Sequence, residues 1–419
     1  MKNYLPRLVD GLLKDELEAF GGVLITGPKW CGKTTTGLNQ ANSTLFLQNP
    51  DEREQNLRLA DIKPSLLLVG DNPRLIDEWQ DAPQLWDAVR FSVDQRGEMG
   101  LYILTGSTTI DESFIAHSGT GRISRLKMRT MSLFESGDSN GEVGVSDLLK
   151  GREIAGHSPH TIEDIANFIV GGGWPASVKK TQGVKQRQVA GYCKSIINTE
   201  ISTSDGVQRD SEKVYQVLRS YSRHISTQAT IQTITHDVTK NFDSINRKTV
   251  GKYLEALQKI FVIEDLQAWS PKLRSKTVIS TNATRHFVDP AIAAYFLDAK
   301  PQDLLNDLQT MGLLFESLVI RDLRVYTESL DGRVYHYRDH SGQEAGAVLH
   351  FKNGQWGAIE VKLGNKAIEE GAESLKRFAH RIDQDSMNQP SFLAVITGTG
   401  YAYRREDGVY VLPIGCLRN

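Results

Sequence analysis

Cysteine is scarce: Cys31, Cys193 and Cys416 are the only three in 419 residues, far apart and odd in number. That excludes a disulfide framework or a zinc knuckle and predicts reduced thiols. No apolar run approaches the roughly 20 residues that span a bilayer, and the first residues, MKNYLPRLVDGLLKDEL, are amphipathic and mixed in charge rather than signal-like. The expectation is a cytoplasmic chain with no membrane contact. A charge excess is also missing. Lys and Arg number 49 and Asp and Glu 51, for a net charge of −2, so any nucleic-acid binding must come from local patches. There is no low-complexity tract or internal repeat, and the length suits two or three domains.

Against these absences stands one strong motif. The stretch GGVLITGPKWCGKTTTGLNQAN has an apolar strand at Val23–Thr26, a glycine-bounded loop and a helical pattern from Lys33. It matches G-x-x-x-x-G-K-[ST] at Gly27, Gly32, Lys33 and Thr34 in the strand–loop–helix setting that phosphate binding needs. The loop Gly27, Pro28, Lys29, Trp30, Cys31, Gly32 would turn its N–H groups toward phosphates, with Lys33, Thr34 and Thr35 opening the helix. The helix N-terminus adds its dipole, Lys33 serves β/γ oxygens and the Thr34 hydroxyl serves magnesium. ATP with magnesium is the cofactor expectation.

Such a site needs a second acid for magnesium and a base for water. Residues 66–78, LLLVGDNPRLIDE, read as an apolar strand ending in Asp77, suited to magnesium, and Glu78, suited to polarising water. A further buried strand, Leu101–Ser107, ends in hydroxyls, and Thr105 or Ser107 either senses the γ-phosphate or simply starts a turn. The next stretch, rich in arginine, offers Arg122 or Arg125 as a finger toward a neighbouring subunit, or as a solvated basic edge.

Taken together, GPKWCGKTT, RLIDEWQDAP, YILTGSTT and GRISRLKMRTMSLFES resemble a family of bacterial and archaeal AAA+ type ATPases whose C-terminal half is a domain of unknown function. The likeness continues through GGGWP (171–175), LRSYSR (218–223), HFVDPAIA (286–293) and GLLFESLVIRDLR (312–324). It covers nearly the whole chain. The resemblance implies an α/β fold: an AAA+ like P-loop NTPase domain at 1–155, a helical and winged-helix domain at 156–300, and an α/β restriction-endonuclease-like domain at 301–419. It also implies a homo-oligomer, able to close into a ring, that acts on or near nucleic acid, DNA in preference to RNA.

In the middle region, a helix from Ser244 to Ile260 carries Val250, Leu254, Leu257 and Ile260 at the spacing of one buried face. FVIEDLQAW and TVIST come next as two strands of a wing. Asn246, Arg247, Lys248 and Lys252, with Lys272, Arg274 and Lys276 in the wing, would then face DNA; the alternative is that the unit packs on the nucleotide domain.

From about residue 301 the pattern is helix, three strands, helix and two strands, with a turn at Asn353-Gly354. This order resembles the PD-(D/E)xK nuclease-like fold. The resemblance maps a metal-binding helical glutamate to Glu316, a strand acid to Glu360 and a water-activating lysine to Lys362. The middle aspartate falls on Gly346, which has no side chain for a hard cation, and Glu344 lies about 6–7 Å further along the strand. The chain is therefore expected to be a poor nuclease. Three readings stand: an ATPase acting near nucleic acid, a nucleotide-dependent regulatory protein, and an ATP-gated nuclease weakened by Gly346.

Overall fold

The structure, a computed structural model, describes residues 4–107, 119–203, 206–240, 245–271, 282–339, 342–382 and 387–419. Five strands, β1 (Gly22–Thr26), β2 (Ser43–Phe46), β3 (Arg74–Asp77), β4 (Tyr102–Gly106) and β5 (Ile123–Lys127), form a parallel sheet in the order 2-3-4-1-5. A parallel sheet is covered on both faces, so its inner strands are almost wholly apolar. Accordingly β1 and β4 are buried over nearly their whole length, and helices Lys33–Gln40 and Gln84–Arg96 come after β1 and β3 in sequence. The strand expected from residue 66 is shorter than the sequence suggests. Pro64 opens a 3-10 turn over Pro64–Leu68 instead, and Leu67 and Leu68 pack into the core with Trp86 and Val89; strand geometry begins only at Arg74.

The middle region is helical. Helix Ile162–Gly171 starts with a capping box made by Thr161 and Asp164, helix Gln182–Ser195 runs into a π-helical turn at Ile196–Glu200, and helix Ser211–Arg223 is capped by Asp210. Asn246 caps helix Arg247–Lys259 by accepting the Thr249 N–H at 2.9 Å, which satisfies one of the orphan donors of a helix start. Val250, Leu254, Leu257 and Ile260 are all buried. Beyond this helix, isolated antiparallel bridges join Ile263 to Phe287 and Leu266 to Thr284. Ser244 and the wing residues Lys272, Arg274 and Lys276 lie outside the described residues.

Behind helix Leu308–Glu328 stands a second sheet. Its meander is β8 (Gly332–Arg338), β9 (Glu344–Phe351) and β10 (Trp356–Lys362), after β6 (Val143–Gly144) and β7 (Gly156–Ser158) earlier in the chain. Helix Ile368–Arg381 returns the chain to β11 (Phe392–Thr397), parallel to β10, and β12 (Gly400–Arg404) and β13 (Tyr410–Pro413) extend the sheet. The order is 7-12-13-11-10-9-8, so β7 closes one edge against β12. A short β14 (Leu417–Arg418) pairs in parallel with β6. The chain on both sides of residue 155 is thus paired with C-terminal strands, β6 with β14 in a small sheet of their own and β7 with β12 at the edge of the larger one.

The residues just after β5 bind these regions together. Arg129 pairs with Glu264 at 2.8 Å and with Glu328, and Lys127 and Arg324 also reach Glu264. Burial alone would raise the Glu264 carboxyl, but Arg129, Arg324 and Lys127 outweigh it and hold it well below the usual range. One residue on, the Thr130 hydroxyl donates to buried Asp289 at 2.8 Å; Asp289 also accepts from the Gly173 N–H at 2.9 Å and from Arg321 at 3.2 Å.

Candidate functional site

At the carboxyl end of β1 the chain must turn sharply, and Gly27 does so at φ +152° with a geometry in which a Cβ would strike the Met128 carbonyl at 2.1 Å. The loop then opens helix Lys33–Gln40 from Gly32, which is left-handed at φ +103°. Lys33 is buried, and its ammonium donates to the carbonyls of Gly27 at 3.0 Å and Pro28 at 2.9 Å. It is thereby held above the loop, in reach of whatever the loop cradles. Trp30 adopts φ +66° and is more than half exposed, while Cys31 is buried and its carbonyl accepts from Arg7 at 2.8 Å. Pro28, Lys29 and Thr35 lie in the same loop and first helical turn; all three cysteines are free thiols.

The end of β3 meets this loop. The Thr34 hydroxyl donates to Asp77 Oδ1 at 2.7 Å, and the Thr105 hydroxyl donates to the same oxygen at 2.6 Å while accepting the Glu78 N–H at 3.3 Å. Glu78 lies just past the strand in left-handed backbone at φ +54°, a conformation that costs a non-glycine residue roughly 1–2 kcal/mol. Its carboxylate accepts from the Gln80 amide and from the Ser107 hydroxyl at 3.4 Å. Strain at a residue held by two side chains, beside a phosphate-type loop, marks a carboxylate whose position matters.

A cavity of about 1280 Å³ lies over these groups, lined on one side by Lys33, Thr34, Glu78 and Ser107 and on the other by Trp174, Arg187, Gln188 and Glu200 of the helical region. Sequence patterns gave no sign that Arg7, Arg187, Gln188 and Glu200 belong to this site. Only the Trp174-Pro175 pair after three glycines carried a signal, and it reads as a structural corner. Arg122 and Arg125 are engaged elsewhere in their own chain: Arg122 donates to Asp94 at 2.7 Å and Arg125 lies 5.9 Å from the Trp86 ring centre.

The second cluster sits on the C-terminal sheet. Ile359 faces Ala347 across β9 and β10, which sets Glu360 beside Gly346. Lys362 lies 3.5 Å from Glu360 and 3.4 Å from Glu370. Burial raises the Glu360 carboxyl in spite of Lys362. Glu316, on helix Leu308–Glu328, is pushed up to about 8 by burial and then by the neighbouring charges of Glu360 and Glu344. Glu344 itself pairs with Arg338 at 3.3 Å. Gly346 is not in left-handed backbone, and a Cβ there would meet nothing nearer than the Ile359 carbonyl at 3.7 Å, so a side chain is missing where there is room for one. Among the described residues no group of three or more His, Cys, Asp or Glu is placed to hold a metal ion. On helix Arg247–Lys259 and its cap, Asn246, Arg247 and Lys248 are exposed.

A five-stranded parallel sheet with a glycine loop at the end of β1 and paired acids at the end of β3 defines a P-loop nucleotide-binding domain. Comparison with known proteins agrees: residues 20–136 match the AAA domain family, residues 162–303 a domain of unknown function (DUF8612), and residues 311–417 a domain of unknown function (DUF4143). The chain therefore carries an AAA-type P-loop ATPase domain at its N-terminus and a DUF4143 domain at its C-terminus. No curated protein matches it. Among solved structures it is similar to the Walker-type ATPase paby2304 of Pyrococcus abyssi, at 14% identity and a TM-score of 0.43, over 70% of this chain and 96% of that one; so loose a likeness decides nothing. No described helix is long and apolar enough to cross a membrane.

Proposed function

We propose that this protein binds ATP with magnesium and hydrolyses it. The observation that carries this is the Asp77 carboxylate, shared by the hydroxyls of Thr34 and Thr105, with Glu78 fixed next to it by Gln80 and Ser107. The hard oxygen donors of Thr34 and Asp77, 2.7 Å apart, fit magnesium, which would neutralise charge between β- and γ-phosphate oxygens. Lys33 exchanges its two carbonyl partners for phosphate oxygens, the loop N–H groups bind the phosphates, and Glu78 orients and deprotonates the attacking water at the open end of the cavity. Ser107 and Gln80 keep the Glu78 carboxylate aimed, and Thr105 keeps Asp77 from rotating away. The test is magnesium-dependent phosphate release from ATP, expected in the wild type and lost in Lys33→Ala and Glu78→Gln. Equal turnover in wild type and Glu78→Gln would sink the hydrolase reading and leave a nucleotide-dependent regulatory protein.

The basic face of Arg247, Lys248 and Lys252 favours a second element of the reading, action on or near DNA, with turnover stimulated by it. A homo-oligomer in which Arg122 or Arg125 reaches a neighbour's site belongs to the same proposal, and sizing with and without ATP tests it. The nuclease-like fold resemblance is kept for the C-terminal domain as a recognition module that does not cut, because Gly346 leaves Glu316, Glu360 and Lys362 without a third acid.

A further inference from the structure

Glu200 is a carboxylate in a cavity suited to phosphates. It is 7% exposed and ends the π-helical turn Ile196–Glu200. Its Oε1 accepts from Lys29 Nζ at 2.7 Å and from the Ser195 hydroxyl at 3.2 Å. Lys29 belongs to the phosphate loop, four positions before Lys33, and its carbonyl accepts from the Trp174 indole at 3.4 Å. The helical region thus holds the loop twice through one residue, once at the main chain and once at the ammonium. Lys29 and Glu200 both line the cavity that Lys33, Thr34 and Glu78 line from below.

The electrostatics of this arrangement change when the cavity fills. A single carboxylate is the natural partner of Lys29 while no phosphate is near. A nucleoside triphosphate brings several negative charges to the same place, and the ammonium is drawn to them while the carboxylate is repelled. An ion pair serving only to tie two regions together has no need of a phosphate-loop side chain; the junction at Glu264 and Asp289 does that work with residues outside the loop. The π-turn adds to the case, because such turns interrupt regular helix bonding and occur frequently at functional sites.

We propose that Glu200 is a resident counter-anion that Lys29 exchanges for the terminal phosphate of a bound nucleoside triphosphate, so that filling the site loosens the helical region's hold on the loop. The proposal rests on the nucleotide-binding reading above and adds to it the residue that sets affinity and distinguishes tri- from diphosphate. By linkage, whatever the carboxylate contributes to the empty state is subtracted from nucleotide affinity.

The experiment is calorimetric titration of the full chain with a non-hydrolysable ATP analogue and with ADP, both with magnesium, for wild type, Glu200→Gln, Lys29→Met and the double variant. Glu200→Gln is expected to tighten the triphosphate about fivefold or more and ADP by less, at the lower end of typical coupling between sites. In the Lys29→Met background the same change should gain much less, since only direct repulsion of the phosphates is left to remove. An unchanged or weakened affinity in Glu200→Gln overturns the proposal, as does a gain that persists undiminished without Lys29, which would mean repulsion alone. Hydrogen exchange in the wild type provides a readout that needs no variant: exchange over Ile196–Ile201 should quicken on loading, and slowing there would overturn the exchange. Absence of binding by the wild type, with Lys33→Ala indistinguishable from it, would bring down the nucleotide reading itself.

Discussion

The two candidate sites each set carboxylates near a lysine, and they differ in how those charges are met. At the N-terminal site Asp77 and Glu78 accept hydrogen bonds from Thr34, Thr105, Gln80 and Ser107. Each acid has donors aimed at its oxygens, which is what a metal-binding or water-activating group needs. At the C-terminal site Glu316 and Glu360 crowd each other in a partly buried setting with Lys362 as their cation, and the Glu316 carboxyl is pushed up to about 8. Similar residue types thus make a prepared site in one place and a frustrated one in the other. The difference lies in the surrounding donors and in one absent side chain.

Removing the prepared site's chemistry should have the largest effect. Glu78→Gln is expected to lower ATP turnover by on the order of 10²-fold or more, the usual contribution of a general base, with the fold intact by circular dichroism. Next comes the joint between the two regions. Asp289→Ala leaves Arg321 buried with one carboxylate fewer and should destabilise by about 3–5 kcal/mol in denaturant unfolding. A loss below about 1 kcal/mol would mean that the joint is not coupled to the global transition.

The frustrated site predicts a pH effect of definite sign. The Glu316 carboxyl is raised from 4.5 to about 8 in the folded chain, so the folded state binds the extra proton between those values. Its contribution is fully present below about pH 4.5 and is lost as pH rises through about 8. Glu316→Gln should therefore gain in melting temperature over wild type as pH increases across that window, and a constant difference would show that Glu316 ionises normally. A smaller effect is expected for Gly346→Asp. The site has space and ordinary backbone, so stability should change by about 1 kcal/mol or less without metal, and manganese should raise the melting temperature of the variant more than that of the wild type. Such a metal-dependent gain would turn the frustrated site into a second prepared one. Smallest of all, Arg247→Ala or Lys248→Ala should each lower the salt slope of DNA binding by about one, if that face meets phosphates.

How much of the fold and site is legible in the sequence depends on range. The loop at Gly27–Thr34 and the acids at 77 and 78 are written in short, contiguous patterns whose geometry is local, and the parallel sheet beneath them arises from apolar runs. The strand expected over residues 66–78 is present only from Arg74, because an apolar run says nothing of period and Pro64 sets a 3-10 turn that buries Leu67 and Leu68. The register placing Glu360 beside Gly346 is within reach because the Asn353-Gly354 turn fixes it. By contrast, Arg7, Glu200 and the Thr130–Asp289–Arg321 joint come from segments far apart in the chain, where no spacing rule operates.

The pairing of β6 with β14 and of β7 with β12 has a consequence in time as well as space. Ser139 donates to the Leu417 carbonyl at 2.6 Å across 278 positions of sequence. At synthesis rates of about 5–20 residues per second, that partner emerges roughly 15–55 seconds later. The N-terminal sheet has every one of its own strands by Lys127, but the segment after it must wait for the end of the second sheet before its edges are covered. The N-terminal P-loop domain can thus mature early, while the strands that follow it are paired only when the last ones arrive.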